Sequence, residues 1–253
     1  MSGGTAEARG AKPPACTLCD FLWEHFACEG AEALSHGDLA AAQAGWRTTD
    51  DLTLAFAEAD PRRAATRTAL GVIAARQGRF AEAQELCRRA LAVWDWAPEW
   101  IARMDVELKA HSSLFHMRLE ARHRNEIVHL GRVQNERMAG AGRAAALATL
   151  AALAAGAGRT DEAGALYHEA IAARAKGLSH REEAAGWLND DLAAALAPDS
   201  AEGRTARGEA ARIARDPVPA GAPRFLSRSW RKMTDERRLT AAIELTPLLR
   251  LAD

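Results

Sequence analysis

The chain has 253 residues, of which 48% are hydrophobic and 26% are charged, and its formal net charge is -1 at pH 7. This composition excludes wholesale disorder, and the balanced charge provides no concentrated positive surface for binding nucleic acid. Sixty residues are alanine, which is the strongest helix former and is depleted in strands. We therefore expect an all-α protein.

Residues 1–16 are predicted to be a flexible N-terminal leader, because they are rich in Gly, Ala and Pro. They lack the apolar core of a secretory signal, and no hydrophobic run approaches the roughly 18–20 residues that span a bilayer. Four cysteines are too few for a disulfide framework. These features predict a cytoplasmic protein that does not enter a membrane.

A group of metal-binding residue types follows the leader. Cys16 and Cys19 form a Cys-x-x-Cys motif, and His25 and Cys28 come soon after it. Four such donors suit a structural zinc site, and His25 and Cys28 fall about one helical turn apart. The alternatives are a redox-active motif, which normally follows a strand, and semi-buried thiols. Zinc is therefore a candidate cofactor, beside the expectation that there is none.

Helical patterning extends over residues 17–215 and contains an internal repeat. The segments Gly37-Asp-Leu-Ala-Ala-Ala42, Gly78-Arg-Phe-Ala-Glu-Ala83 and Gly158-Arg-Thr-Asp-Glu-Ala163 share a glycine and, five residues later, an alanine. Glycine permits a tight turn, and a small residue lets two helices approach to about 8–9 Å. The pattern resembles the tetratricopeptide repeat, a helix-turn-helix unit. This resemblance implies a right-handed α-α superhelix, or α-solenoid.

The repeat spacing predicts about five helix pairs, of which the third and fifth are degenerate. The pairs are expected at 20–58, 64–96, 99–138, 144–176 and 180–215. Extending the period predicts turns near residues 118 and 198, and the capping-box spacing of Ser179 and Glu182 predicts a helix that starts at about 180.

The C-terminal part of the chain is predicted to be separate from the repeats. Residues 216–223 contain three prolines and are expected to form a connector without helix, because proline removes an amide donor and restricts its predecessor. Residues 224–253 are expected to contain a capping helix from Thr234 to about Leu251.

The third unit is rich in histidine and is flanked by tryptophans. His116, Glu120 and His123 share one helix face and include metal-ligand types. The other interpretation is an Arg/His-rich face that contacts water or an acidic partner. Three tryptophans precede this unit and either fill the junction between units or form an exposed binding hot spot. They are Trp94, Trp96 and Trp100.

The resemblance implies that the first helices of the pairs line a concave groove that holds a segment of a partner protein. The family's groove-facing positions correspond here to Thr68, Val72, Arg76, Leu108, Ser112, Phe115, His116, Ala148, Ala152 and Leu188. Most of them are small or apolar, unlike the carboxylate-binding residues of chaperone-binding relatives. We therefore expect an apolar segment, from a partner or from this chain's own C-terminal helix. Alternatively, the small residues only let neighbouring units pack tightly.

The sequence therefore predicts a non-catalytic adaptor or assembly factor that binds an apolar peptide or helix of another protein. No phosphate-loop, dinucleotide-binding, nucleophile-elbow or zinc-protease motif supports a reaction class. One alternative is a metal-binding accessory protein or metal-dependent enzyme that uses the N-terminal Cys/His group or the histidine-rich third unit. Another is a homo-oligomer in which the C-terminal helix of one copy fills the groove of the next.

Overall fold

A computed structural model describes residues 17–112, 121–177, 183–197, 199–215, 242–243 and 245–250. These ranges contain helices and turns and no strand, which confirms the all-α prediction. The main helices are α1 (Thr17–Ser35), α2 (Leu39–Thr53), α3 (Pro61–Arg76), α4 (Phe80–Ser112), α5 (Ala121–Gly156), α6 (Thr160–Gly177), α7 (Glu183–Ala195) and α8 (Ala201–Arg215).

The helices pack in consecutive pairs that are stacked side by side. α1 packs with α2, α3 with α4, α5 with α6, and α7 with α8. The first helices of successive pairs also touch, α3 with α5 and α5 with α7. They therefore form an inner layer, and the second helices form an outer layer. This arrangement is an α-solenoid, as the repeat predicted.

The predicted hinge glycines occupy the turns of the first, second and fourth predicted units. Gly37, Gly78 and Gly158 have φ angles of 77°, 75° and 74°, in the left-handed region where glycine is favoured. The residue after each glycine donates a backbone hydrogen bond to the carbonyl five residues earlier, at 2.9, 2.8 and 2.9 Å respectively. This is the Schellman pattern that ends a helix.

The helix crossings depend on small residues, as the repeat predicted. Ala42, Ala83 and Ala163, which follow the hinge glycines, are fully buried. In the second pair, a Cβ atom added to Gly71 would lie only 2.6 Å from the Sγ atom of Cys87. α3 and α4 can therefore pack this closely only because residue 71 has no side chain.

The third predicted pair, 99–138, consists of extensions of the neighbouring helices. α4 continues for 33 residues through Pro98, and α5 is 36 residues long. The side-chain amide of Asn135 in α5 donates a 3.1 Å hydrogen bond to the backbone carbonyl of Pro98. The unit boundary expected near Pro98 is therefore not a helix break, because tertiary packing outweighs the proline's local preference. The turn expected near 118 lies outside the described residues.

The fourth described pair matches the predicted turn near residue 198. α7 ends at Ala195 and α8 begins at Ala201. The Ser200 hydroxyl accepts a 2.9 Å hydrogen bond from the backbone N–H of Gly203, which caps α8. α7 begins at Glu183, close to the predicted start.

One helical stretch is more apolar than the sequence analysis expected. Ala139–Gly156 is long enough to span a membrane at a mean hydropathy of 1.3, and 83% of it is buried inside the fold. Its hydropathy comes from alanine and leucine that pack against α4, α6 and α7. A helix buried in the core of a protein can be as long and as apolar as a membrane span, so the length and composition of this stretch are weak evidence for one.

Candidate functional site: the concave groove and its C-terminal occupant

Four of the predicted groove positions belong to the protein core. Thr68, Val72, Ala148 and Leu188 lie on the inner-layer helices and are fully buried. The Thr68 hydroxyl is satisfied locally, because it donates a 2.9 Å hydrogen bond to the carbonyl of Ala64. These four side chains hold the inner layer together and are covered by other parts of the chain.

Two predicted groove positions, Arg76 in α3 and Ala152 in α5, are half-buried. They line the same cavity, next to Leu249 and Arg250. The side chains of the other four predicted positions are not described. Leu108 and Ser112 lie in the C-terminal half of α4, and Phe115 and His116 lie outside the described residues.

The C-terminal residues 242–250 pack against the inner layer. Ala242 is fully buried and Leu249 is 7% exposed, and both belong to the hydrophobic cluster that contains Val72. Leu248 packs against the neighbouring cluster, which contains Ala148 and Leu188. The segment thus bridges two sets of predicted groove residues. An apolar piece of the chain itself occupies the place expected for a bound segment.

A cavity of about 460 Å³ remains beside this segment. Leu249 and Arg250 form one side of it, and Ala75, Arg76 and Ala152 form part of the other. The exposed ring of Phe80 lies at its edge. The contact between the segment and the inner layer is therefore incomplete, and the groove retains space next to its occupant.

The end of the segment is fixed by a cation–π contact. The guanidinium carbon of Arg250 lies 5.3 Å from the ring centre of Trp187 in α7, within the range where a cation is attracted to an aromatic face. Sequence analysis did not select either residue. The signal in the sequence was the position of Trp187 on a first helix, directly before the predicted groove position Leu188.

The predicted C-terminal helix ends earlier than Leu251. Ala242, Ile243 and Leu245 are helical, and residues 246–250 are not. Pro247 explains this end, because proline disfavours the helical conformation in the residue before it. The Thr246 hydroxyl donates a 2.5 Å hydrogen bond to the carbonyl of Ala242. Residues 246–250 therefore lie along the inner layer without regular secondary structure.

The comparisons with known proteins agree with this architecture. The tetratricopeptide repeat family model matches residues 63–94, which cover most of α3 and the N-terminal part of α4 and correspond to the predicted unit 64–96. The described helices thus form an α-solenoid in which one helix pair matches the tetratricopeptide repeat. No curated protein and no solved structure matches it. The repeat match thus falls on the pair that carries Thr68, Val72 and Arg76.

The predicted zinc ligands lie only partly among the described residues. Cys16 lies outside the described residues, and Cys19 is disulfide-bonded. His25 lies 3.4 Å from the carboxylate of Glu29 and stacks on Phe21. Cys28 is exposed. In the ranges that the structure covers, no three His, Cys, Asp or Glu side chains are grouped for a metal. A zinc site, which needs thiolates, stays a prediction.

The second candidate metal site, in the histidine-rich region, lies mostly outside the described residues. His116 and Glu120 lie outside the described residues, and the side chain of His123 is not described. His129 is exposed, and its Nδ1 atom lies 3.4 Å from Nη2 of Arg132. The metal-binding interpretation of this face stays a prediction.

The three tryptophans near Pro98 have different roles. Trp94 and Trp100 are buried in the packing of α4, as the junction-filling interpretation predicted. A Cβ atom added to Gly142 would lie 2.3 Å from the Trp94 ring, so α5 can pack this closely on the ring only because residue 142 has no side chain. Trp96 is 39% exposed.

Proposed function

We propose that this protein is a non-catalytic adaptor or assembly factor whose concave face binds an apolar segment of a partner protein in competition with its own residues 242–250. The observation that carries the proposal is the packing of Leu248 and Leu249 on the inner layer. Tetratricopeptide repeats generally mediate binding to other proteins, and the match at 63–94 supports this class of function. The chemistry of the groove defines the ligand class.

The chain's own segment shows which chemistry the groove accepts. Its buried and half-buried residues are aliphatic, namely Ala242, Ile243, Leu245, Leu248 and Leu249. Burial of apolar side chains provides the free energy of such a contact. A partner segment with similar aliphatic residues and a terminal cation for Trp187 would make equivalent contacts. Because the occupant belongs to the same chain, it competes with every partner segment, and a partner must bind tightly enough to displace it.

A peptide-exchange experiment on the full chain tests the proposal. The probe is a fluorescently labelled peptide with the sequence of residues 234–253, and binding is followed by anisotropy. In the double variant Ala242→Glu and Leu249→Glu, the tethered segment should leave the groove, because two buried positions become charged. We expect this variant to bind the peptide at least about tenfold more tightly than the wild type, because in the wild type the tethered segment competes with the peptide for the same surface.

Two further variants provide the controls. Leu54→Glu makes the same apolar-to-acidic change at a side chain that is 76% exposed, and it should behave like the wild type. Adding Ala152→Arg to the double variant should abolish binding by blocking the half-buried wall of the groove. Val72→Glu is unsuitable, because Val72 is fully buried and the variant would unfold. Equal affinity of the wild type and the double variant would contradict the proposal.

The same segment offers a route to self-association. Its exchange between two copies would produce a dimer with the same contacts. Light scattering on the wild type and the Ala242→Glu/Leu249→Glu variant distinguishes the two arrangements. A dimer that dissociates in the double variant indicates exchange between copies, and a monomer in both indicates that each chain fills its own groove.

A further inference from the structure

A second cavity, away from the groove, concentrates positive charge on the α3–α4 pair. Its volume is about 320 Å³. Three arginines line it together with one acidic residue and a set of apolar side chains, and the full lining is Glu58, Ala59, Arg63, Arg67, Arg89, Ala92, Val93 and Trp96. No sequence motif or family position pointed to it.

This cavity is separate from the concave face. Arg63 and Arg67 lie one helical turn apart on the same side of α3. Arg67 and the groove residue Arg76 are nine residues apart, which places them about 180° from each other around the helix axis at about 100° per residue. Arg89 comes from α4, so both helices of the repeat matched at 63–94 contribute to the cavity.

The three guanidinium groups lack a direct carboxylate partner among the described residues. An Arg63 Nη1 donates a 3.2 Å hydrogen bond to the carbonyl of Phe56, but its buried Nε has no hydrogen-bond partner. Arg67 Nη1 reaches only the backbone carbonyl of Arg89, at 3.5 Å. By contrast, the neighbouring Arg62 forms ion pairs with Asp20 and Asp60. Among the described residues, no comparable ion pair to a carboxylate is made by Arg63, Arg67 or Arg89.

Mutual repulsion within the cavity is visible at its central residue. Burial lowers the pKa of Arg67, and the positive charges of Arg63 and Arg89 lower it further. The carboxylates of Asp50 and Glu58 act in the opposite direction but do not restore the usual value. A bound anion would relieve this repulsion and would supply acceptors for the N–H groups of the arginines that line the cavity.

We propose that this cavity binds a phosphate monoester, with the phosphate held by Arg63, Arg67 and Arg89 and its organic group placed against the Trp96 ring. Guanidinium forks match the spacing of phosphate oxygens. Three arginines against Glu58, which lines the cavity, and Asp50, whose charge also acts on Arg67, leave a net positive charge of about +1. A phosphate monoester carries about -1.5 to -2 at pH 7 and offers three strong acceptor oxygens, so it can pair with all three arginines at once, whereas a carboxylate has only two oxygens. The apolar wall of Ala92, Val93 and Trp96 leaves room for an organic group beyond the phosphate.

Isothermal titration calorimetry of the full chain at constant ionic strength tests this site. The probes are phenyl phosphate, inorganic phosphate and benzoate, with sodium chloride as the reference salt. We expect phenyl phosphate to bind most tightly, because only this probe combines a dianion with a ring. A phosphotyrosine amide with blocked ends identifies the source of the ligand. Binding tighter than that of phenyl phosphate indicates a phosphorylated protein side chain, and equal or weaker binding indicates a small organic phosphate.

Single variants assign the binding to this cavity. Arg67→Gln and Arg89→Gln should each raise the Kd for phenyl phosphate by about tenfold or more, which is the usual effect of losing a charged hydrogen bond. Arg88→Gln is the matched control, because it removes the same charge one position away from Arg89. Arg88 is exposed and does not line the cavity, so this variant should leave the Kd unchanged. Trp96→Ala should weaken binding of phenyl phosphate and leave that of inorganic phosphate unaltered.

The thermal stability of the variants separates ligand binding from folding. In chloride buffer, Arg67→Gln should unfold at the same or a higher Tm than the wild type, because it removes a repelled charge. Phenyl phosphate should raise the Tm of the wild type and not that of Arg67→Gln. Arg89→Gln, at an exposed side chain, provides the same test if Arg67→Gln loses helicity. Binding no tighter than to chloride, or equal losses in Arg88→Gln and Arg67→Gln, would overturn the proposal.

Discussion

Arg62 in α3 forms an ion pair with Asp20, which lies 42 residues earlier in α1, and both side chains are almost completely buried. Arg62 also donates hydrogen bonds of 2.9 and 2.7 Å to the two carboxylate oxygens of Asp60, the residue that caps α3. Burial alone would lower the pKa of Arg62, but Asp60 and Asp20 raise it above its usual value. The pair joins the first helix pair to the second through fully satisfied charges.

Breaking this pair should therefore destabilise the stacking of the first two units. In Asp20→Ala, Arg62 keeps its charge in the core with one carboxylate missing, and we expect a loss of about 3–5 kcal/mol in the free energy of unfolding. Urea denaturation followed by circular dichroism measures it. The control is Glu99→Ala, which breaks an exposed pair with Arg103 and should cost less than about 1 kcal/mol. Similar losses in both variants would show that burial does not strengthen the Asp20–Arg62 pair.

The close approach of α3 and α4 leads to a second prediction, at Gly71. Gly71→Ala should destabilise the protein by about 1–3 kcal/mol, because the new Cβ would lie 2.6 Å from the Sγ atom of Cys87. Cys87→Ala in the same chain should recover part of this loss by making room. The two effects, measured by urea denaturation, should therefore be non-additive. Gly208→Ala is the control, since a Cβ there has nothing within 4 Å and should stabilise α8 by about 0.5–1 kcal/mol.

The buried Cys87 thiol should respond to alkaline pH. Burial raises its pKa to about 12, and a hydrogen bond with Thr149 opposes this shift only in part. The unfolded chain loses this proton near pH 9 while the folded chain retains it. Stability that depends on Cys87 is thus fully present below pH 9 and is lost as the pH rises towards 12.

Thiol labelling and alkaline denaturation measure this effect. At pH 8 the exposed Cys28 should react with a thiol reagent at once, and Cys87 should react only as fast as the protein opens, because the thiolate is the reactive form. Cys87→Ala should flatten the decline of stability between pH 9 and 11, and Cys28→Ser should not. Rapid labelling of Cys87 in the folded protein would refute the assignment of a raised pKa.

Local sequence signals predicted the repeats well, and long-range packing decided what they missed. The turns at Gly37, Gly78 and Gly158 have a left-handed backbone conformation. Glycine adopts this conformation most readily, so these turns can be recognised from the sequence. The course of α4 through Pro98 depends instead on contacts with α5, such as the hydrogen bond from Asn135, which lies 37 residues later. Six of the ten predicted groove positions lie on inner-layer helices, whereas Leu108 and Ser112 belong to α4 of the outer layer. A sequence pattern also does not show whether a side chain such as Val72 is covered. That depends on where residues 242–250 pack, which local periodicity does not encode.

The uninterrupted α4 helix allows a final prediction, at Pro98. An α-helical proline lacks the N–H that would bond to the carbonyl four residues earlier, here that of Trp94, and this loss typically costs about 3 kcal/mol. Pro98→Ala restores the donor and gains a better helix former, while the unfolded chain becomes more flexible at a cost of about 0.4–1 kcal/mol. We expect a net gain of about 2 kcal/mol in the free energy of unfolding, measured in urea. Asn135→Ala, which leaves the Pro98 carbonyl without its side-chain donor, should instead destabilise by about 1–3 kcal/mol. A loss of stability in Pro98→Ala would mean that the proline sets the path of α4 along α5, and that the long helix pair is built around it.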